Sequence, residues 1–389
     1  MKYRSTPYLR FKKFKEKWQL KVLGNLGSVA MNKRIFKEET SEVGEIPFYK
    51  IGTFGREPDS FITREKFEEY KSKYPHPEIG DILISASGSI GRTVEYLGEE
   101  AYFQDSNIVW LKHDERLDNS FLKQFYSIVK WQGIEGTTIK RLYNKNILET
   151  PIALPSVSEQ SAIGSLFRTL DDLLASYKDN LANYQSLKAT MLSKMFPKAG
   201  QTVPDIRLDG FEGEWENKKL YEVTNITMGQ SPKSENYTDN PNDYILVQGN
   251  ADIKDKQVVP RLWTTEVTKM AEIGDIILTV RAPVGDIGKT DFNVVIGRGV
   301  AAIKGNDFIF YTLEKMKMTG FWNKFSTGST FESISSNDIK EAIIQIPTLE
   351  EQQAIGAYFS NLDNLIAAHQ EKISQLETLK KKLLQDMFI

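Results

Sequence analysis

The chain of 389 residues contains no cysteine. That removes disulfides, thiolate nucleophiles, iron–sulfur clusters and cysteine-based zinc sites together, and it suits a cytoplasmic setting. Histidine is almost as scarce. His76, His113 and His369 lie far apart and share no metal-ligand spacing, so each reads as a solvated or packed side chain. No window approaches the roughly 20 apolar residues that cross a bilayer. The basic stretch Met1–Trp18 lacks the apolar centre of a signal peptide. An excess of one charge is missing too: 50 Lys and Arg face 52 Asp and Glu, for a formal net charge of −2. That balance leans away from a nucleic-acid binder. What remains, 40% hydrophobic and 26% charged residues, is an ordinary globular composition. At about 100–200 residues per domain, the length allows two to four domains.

Catalytic signatures are also wanting. Pro283-Val-Gly-Asp-Ile-Gly-Lys-Thr290 approaches a phosphate-binding loop, but Pro283 stands where its first glycine belongs. Pro58-Asp59 with Glu69-Tyr-Lys71 has the residue types of a metal-dependent nuclease at too short a spacing, without a copy in the second half of the chain. The string Asp239-Asn-Pro-Asn242 lacks the second proline and the aromatic of an amino-methyltransferase loop, and no Gly-x-Ser-x-Gly elbow occurs. The expectation is a chain without catalytic or metal residues of its own.

What the sequence does have is a repeat. Residues 155–196, opening Pro155-Ser-Val-Ser-Glu-Gln-Ser-Ala-Ile-Gly, align without a gap with residues 347–388, opening Pro347-Thr-Leu-Glu-Glu-Gln-Gln-Ala-Ile-Gly, at 16 identities in 42 positions. Weaker markers lie on either side. Pro7-Tyr-Leu-Arg…Trp18 matches Pro204-Asp-Ile-Arg…Trp215, Ile79-Gly-Asp-Ile matches Ile273-Gly-Asp-Ile, and Gly136-Thr-Thr138 matches Gly328-Ser-Thr330. The order is therefore globular unit, helical unit, globular unit, helical unit. Pro197–Pro204 is the only evident linker between halves.

In the helical units, apolar residues recur at steps of three and four. They include Ile163, Leu170, Leu181 and Leu187 in the first run and Ile355, Leu362, Ile373 and Leu379 in the second, which marks one stripe of an α-helix. Ser156-x-x-Glu159 and Thr348-x-x-Glu351 read as capping boxes. About 38 residues at 1.5 Å rise gives roughly 57 Å, and one apolar stripe of that length needs a partner. The expected partner is the other copy, in an intramolecular coiled coil. Packing of each helix on its own globular unit, and pairing between molecules, are the alternatives.

The globular units read as α+β. Short β-rich strings such as Asp81-Ile-Leu-Ile-Ser and Asp275-Ile-Ile-Leu-Thr alternate with Gly/Ser/Asn turns, and helical patches lie near Asn119–Trp131 and Asp307–Phe325. Polar loops with hydroxyls, amides and cations recur at matched places, and these are the groups that meet phosphates and base edges. Residues 1–150 carry 25 Lys and Arg against 21 acids, whereas residues 197–346 carry 17 against 21, so any basic surface in the second unit must be local.

Two variable α+β units, each followed by a long helix that opens Pro-x-x-x-Glu-Gln-x-x-Ile-Gly and closes Met-Phe, resemble the specificity subunits of type I restriction–modification enzymes. The lead-in Val203-Pro-Asp-Ile-Arg-Leu-Asp-Gly-Phe-Glu-Gly-Glu-Trp215 is similar to that family's usual start of a recognition domain. The N-terminal lead-in departs from it, with Lys12-Lys13 in place of Asp209-Gly210. The resemblance covers essentially the whole chain. It implies two target recognition domains (1–154 and 197–346, the latter with its linker) and two spacer helices (155–196 and 347–389). These helices would form an antiparallel coiled coil in a pseudo-two-fold symmetric molecule. Each recognition domain would read half of a split double-stranded DNA site, and the helices would fix the gap and bind two modification subunits. Those subunits use S-adenosylmethionine to methylate adenine. Restriction subunits driven by ATP and Mg2+ join the same core, and no cofactor falls to this chain.

On this basis the candidate DNA contacts are Lys50, Ser87, Arg92, Lys140 and Arg141 in the first unit. In the second they are Gln230, Lys233, Gln248, Arg281, Arg298, Ser329 and Thr330. The candidate spacer and partner positions are Glu159, Gln160, Ile163, Leu170, Leu181 and Leu187, with Glu351, Gln352, Ile355, Leu362, Ile373 and Leu379. Two rival readings keep the same repeat. A coiled-coil adaptor presenting two related binding domains would show no salt-dependent DNA binding. A fused methyltransferase fragment with nuclease activity would methylate or cleave DNA alone.

Overall fold

The computed structural model of the chain describes residues 6–133, 140–325 and 333–388. It divides into two compact units, Met1–Lys178 with Glu371–Ile389, and Asp179–Gln370. Each unit is α+β, and each takes part of both long helices.

The first unit holds β1 (Gln19–Val22), β2 (Gly27–Met31), β3 (Ile46–Tyr49), β4 (Phe61–Ile62), α1 (Arg64–Lys73), β5 (Ile82–Ser85), β6 (Thr93–Glu95), β7 (Tyr102–Phe103), β8 (Ile108–His113), α2 (Asn119–Ile128), α3 (Asn144–Leu148), β9 (Pro151–Leu154) and the first part of α4 (Val157–Lys194). Its main sheet has the order β2-β8-β5-β6, beside a smaller sheet β4-β3-β7 and a ribbon β1-β9. The central strand β5 is buried on both faces, which is why Ile82-Leu-Ile84 is a continuous apolar run rather than an alternating one. The α2 helix starts where the Asp118 carboxylate accepts the Ser120 and Phe121 amides, a cap that satisfies otherwise orphaned donors.

The second unit continues with β10 (Glu216–Lys219), α5 (Leu220–Val223), β11 (Ile226–Met228), β12 (Tyr237–Thr238), β13 (Tyr244–Val247), β14 (Ile253–Lys254), β15 (Gln257–Val258), β16 (Trp263–Thr264), β17 (Met270–Ala271), β18 (Ile276–Thr279), β19 (Ile287–Lys289), β20 (Val294–Ile296), β21 (Val300–Ile303), α6 (Asp307–Met318), α7 (Ser336–Lys340), β22 (Ile343–Ile346) and α8 (Leu349–Met387). Its sheets run β11-β21-β18-β19-β15-β14 and β12-β16-β13-β20-β17, with a ribbon β10-β22.

Strand register shows how closely the units correspond. Met31 and Ile84 both face Val109 in the first, and Met228 and Leu278 both face Ala301 in the second. Parallel pairing of Tyr49 with Phe103 is matched by that of Val247 with Ile296.

An ion pair and an aromatic cluster seat each long helix on a globular part of the chain. The Arg10 guanidinium clasps both oxygens of buried Glu159 at 2.6 and 2.7 Å, and Arg207 clasps Glu351 at 2.8 and 2.7 Å. These carboxylates therefore hold the lead-in rather than reaching back to the helix start, and of the second capping box that the sequence suggests only the Thr348 half forms, its Oγ1 accepting the Glu351 amide at 3.4 Å. Gln160, fully buried, accepts the Asp118 amide and donates to the Arg116 and Pro155 carbonyls.

The aromatic cluster crosses the order of the chain. Phe388, at the end of α8, stacks on Phe121 at 5.1 Å, with Trp18 and Phe167 around it. Phe196, at the end of α4, stacks on Phe308 at 5.4 Å, with Trp215 and Phe359. Each Met-Phe terminus thus closes the unit that its own helix does not begin in.

The helices run antiparallel within each unit. In the first, Leu170 and Leu174 share a core with Leu376 and Met387, and Lys178 meets Glu377 at 2.7 Å while Asp171 pairs with Lys380. In the second, Leu192 and Met195 share a core with Ile355 and Phe359, and Lys188 meets Asp363 at 2.6 Å. Pairing with the other copy and packing on the reader, offered by the sequence as alternatives, occur together. Among the described residues no helix is long and apolar enough to cross a membrane.

Candidate nucleic-acid interface

In each unit, one edge of the sheet gathers the polar loops. In the first, β2 and β5 end and β8 begins at that edge, and the loop at 85–92 closes with the Ser85 amide on the Arg92 carbonyl at 2.8 Å and the Gly91 amide on the Ser85 carbonyl at 3.0 Å. In the second, the 279–286 loop closes the same way, Thr279 on Asp286 at 2.8 Å and Gly285 on Thr279 at 2.9 Å. A side-chain oxygen at the loop's first residue completes it by accepting a later amide, Arg92 to Ser85 Oγ at 2.9 Å and Asp286 to Thr279 Oγ1 at 2.8 Å. Bridges from Ser87 to Arg141 and from Arg281 to Ser333 bring a further strand-like segment to each edge.

The first unit places its candidates unequally. Lys140 and Arg141 are exposed on that bridging segment. Lys50 follows β3 and pairs with Asp59 at 2.9 Å. The Ser87 side chain is buried, and its hydroxyl donates to Asn107 at 2.7 Å. The Arg92 guanidinium donates to the Phe54 carbonyl at 2.9 Å. Ser87 and Arg92 therefore spend their polar groups shaping the edge.

The second unit draws its candidates together more tightly. The Gln230 amide donates to Ile296 O at 2.8 Å, the Arg298 amide to Ser231 Oγ at 3.1 Å, and the Gly297 amide to Val247 O at 2.8 Å. Val280 donates to Gly299 O at 2.9 Å, which sets Arg281 beside the same group. Gln248 is half-buried, its amide nitrogen Nε2 without a hydrogen-bond partner among the described residues. Lys233 is exposed at the rim, 3.7 Å from Glu235. Ser329 and Thr330, like the 136–138 and 328–330 loops, lie outside the described residues.

The sequence reading missed Arg34 and Asp105, which face each other at 3.8 Å on the first unit's edge. Strand register makes Met31 the counterpart of Met228, so Lys33 and Arg34 stand where Gln230 and Ser231 stand. The Gln104 amide bonds Tyr49 O as the Gly297 amide bonds Val247 O, so Asp105 stands where Arg298 does. The offset of 197 between Pro7 and Pro204 was the available signal for Arg34.

Among the helix candidates, Ile163, Leu170, Ile355 and Leu362 are buried and Leu181 and Ile373 half-buried. Gln352 accepts from Asn306 and donates to Pro347 O, both at 3.0 Å, tying α8 to its reader. Leu187 and Leu379 stay 38% and 44% exposed, as do the equivalent pair Leu173 and Leu365 at 39% and 41%. Each unit thus keeps two exposed leucines on its long helices, Leu173 and Leu379 in the first and Leu187 and Leu365 in the second.

One buried charge cluster lies in the second unit. Lys188 touches Glu314 at 3.0 Å and Asp363 at 2.6 Å, and Lys256 touches Glu314 at 2.6 Å. Burial pushes the Lys188 ammonium down from the usual lysine range, against the pull of Glu314. At Lys256 burial acts the same way, but Glu314 and Asp363 outweigh it and raise the group. The near phosphate-loop string forms β19, and Thr290 gives its hydroxyl to Phe292 O at 2.7 Å. Among the described residues, no group of three or more His, Asp or Glu is arranged to hold a metal ion. What the edges present is mostly donors, suited to contacting base edges and phosphates.

The sequence profile of the type I restriction modification DNA specificity domain matches residues 15–183 and again 212–378. A putative type I restriction enzyme specificity subunit of Haemophilus influenzae is 53% identical over 160 residues, covering 41% of this chain and 42% of that protein. The putative type I restriction enzyme MjaX specificity subunit of Methanocaldococcus jannaschii is 27% identical over 95% of this chain and 92% of its own. A crystal structure of the type I restriction–modification system S subunit from M. genitalium superposes over 99% of both chains with a TM-score of 0.64 at 18% identity, a likeness of fold.

Proposed function

The chain belongs to the type I restriction modification DNA specificity family, and from that premise we propose that its two readers each take one half of a split double-stranded DNA site. The paired helices set the interval between the halves. The chain carries the address, and its partners carry the chemistry: two modification subunits using S-adenosylmethionine, joined by ATP- and Mg2+-dependent restriction subunits. The exposed Leu173, Leu187, Leu365 and Leu379 supply the helix face for the modification subunits.

The observation that carries this reading is the matched pair of loop edges. The same backbone closure at 85–92 and 279–286 carries a buried Ser87 in one unit and an exposed Arg281 in the other, and the loops that bond Tyr49 O and Val247 O carry Asp105 against Arg298. One scaffold with two sets of edge groups suits two half-sites of different sequence. A near-neutral chain can serve because base contacts need few cations, and partners supply the rest of the phosphate clamp.

Adenine methylation mapped across a genome, with and without this chain, tests the proposal. A two-part motif with a fixed gap should appear only with the chain, whereas an unchanged methylation pattern would refute it. A gel shift with the assembled chain separates the adaptor reading, which expects no salt-dependent DNA binding.

A further inference from the structure

Arg298 stands on a tip that is built rather than merely exposed. It lies between Gly297 and Gly299, both buried, while its own side chain is exposed. A Cβ on Gly299 would collide with the Gln248 carbonyl oxygen, and one on Gly229 with the Gly297 carbonyl oxygen. A Cβ on Gly297 would press on Ser231 Oγ at 3.2 Å and on the Gln248 side chain at 3.3 Å. Gly229 and Gly299 thus let the loops of this unit close on one another at a spacing that a side chain at either position would push apart, and Gly297 packs tightly between them. Within that closure the Arg298 amide is pinned to Ser231 Oγ at 3.1 Å, and the Gly297 and Val300 amides to Val247 O and Gly297 O at 2.8 and 3.1 Å.

A rigid tip fixes where the guanidinium starts, and no carboxylate among the described residues pairs with it. Arg281 and Gln248 flank it, so the centre of this edge is made of donors. Phosphate contact needs only a point charge and tolerates a mobile lysine, a role that rim-exposed Lys233 fits. A pre-set planar fork at the centre of a reading edge matches two acceptors side by side. In the major groove guanine alone offers such a pair, N7 and O6.

We infer that the half-site read by the second unit contains a guanine, and that Arg298 determines it by donating to N7 and O6. This rests on the DNA-reading role proposed above. The equivalent place in the first unit holds Asp105, an acceptor facing Arg34, so the same step of the other half-site is not a guanine read from this position. The two half-sites differ at this step.

The test selects binding sites from a random duplex library with the chain assembled with its partner subunits. The wild type should enrich a two-part motif. Arg298→Ala should flatten one guanine column, in a single half, by about tenfold to a hundredfold, leaving the remaining columns in place. The second measurement needs no variant: 7-deazaguanine at that column lacks N7 and should weaken the wild type about tenfold, while Arg298→Ala, if it binds at all, should not respond to it. Even loss of all enrichment by Arg298→Ala leaves the wild-type response to 7-deazaguanine decisive. Uniform weakening across every sequence, or a wild type indifferent to 7-deazaguanine at each guanine of the motif, would make Arg298 a phosphate contact and overturn the inference. Failure of the wild type to enrich any motif would instead overturn the DNA-reading role itself.

Discussion

Replacing Phe388 with alanine should destabilise the first unit and spare the second, although Phe388 lies 275 residues beyond the end of β8 at His113 and follows the second unit's strands in sequence. Its ring is 6% exposed and lies 5.1 Å from Phe121 at an interplanar angle of 20°, with Trp18 edge-on at 6.4 Å and Phe167 at 6.2 Å. Removing a buried phenylalanine costs about 3–5 kcal/mol. About 3 kcal/mol corresponds to somewhat more than a hundredfold in the opening equilibrium of the unit that loses it. Hydrogen exchange resolved by peptide measures this directly. Amides of β2, β5 and β8 should exchange about a hundredfold faster, and those of β11, β18 and β21 at their former rate. Phe196→Ala is the mirror experiment: Phe308 and Phe359 lose their neighbour, so the fast amides should be those of β11, β18 and β21. If Phe388→Ala accelerated the second unit, or both equally, the assignment of each Met-Phe terminus to the unit its helix does not begin in would be wrong.

Glu159→Gln keeps the shape of the Arg10 clasp and removes its charge, so the first unit should lose about 2 kcal/mol and the second nothing, with Glu351→Gln doing the reverse; unit-resolved thermal unfolding distinguishes them. Asp363→Asn leaves Lys188, 5% exposed, short of a carboxylate and should cost about 2–3 kcal/mol, whereas the equivalent Asp171→Asn beside the more accessible Lys380 should cost under about 1 kcal/mol; equal losses in urea unfolding would refute the difference. Leu187→Asp with Leu379→Asp should move the unfolding midpoint little, because both side chains are over a third exposed, while abolishing co-purification of a modification subunit; intact co-purification would exclude that face from the contact. Gly299→Ala should blur the columns of the second half-site only, because the new methyl group displaces the Gln248 carbonyl. A motif unchanged by that substitution would show that the tip does not need its close packing.

The helices were the most legible part of the fold. A stripe kept over ten turns and written twice leaves little freedom, and α4 and α8 lie within the two repeats that carry it. Residues that depend on a distant partner were not legible. Glu159 follows Ser156 at capping-box spacing, yet its carboxylate goes to Arg10, 149 residues away. Nothing local distinguishes the two uses. At the reading edges the difficulty is register. Strand pairing equates Met31 with Met228, Tyr49 with Val247 and Phe103 with Ile296, at offsets of 197, 198 and 193, because the segments between these strands differ in length by one residue and by five. A single-offset alignment therefore finds Ser87 and Arg281 but passes over Arg34 and Asp105. Ser87 illustrates the remaining gap: a serine in a polar loop has the residue type of a DNA contact, and only packing reveals that Asn107 takes its hydroxyl.

The two copies differ where they read and agree where they are held, and the geometry accounts for that division. The groups shared by both units, Arg10 and Arg207, Glu159 and Glu351, Trp18 and Trp215, Phe121 and Phe308, and Phe388 and Phe196, all meet where a reader joins its helices. The strands β2 and β11 start nearer that junction and end at the loops, so three to five residues at about 3.3 Å each separate the two ends. Across such a distance exposed substitutions couple weakly to packed ones. The loop edge can thus replace Gly297-Arg298-Gly299 by Gln104-Asp105-Ser106 without disturbing the aromatic stack that sets the helix angle. A stack that joins one globular unit to both helices can in turn tolerate almost nothing, since a change at Phe121 acts on Trp18 and Phe388 together, and through Phe388 on Phe167. On the proposed function, stability is concentrated at the junction and specificity at the rim, which would let one scaffold be used twice in a chain for two different half-sites.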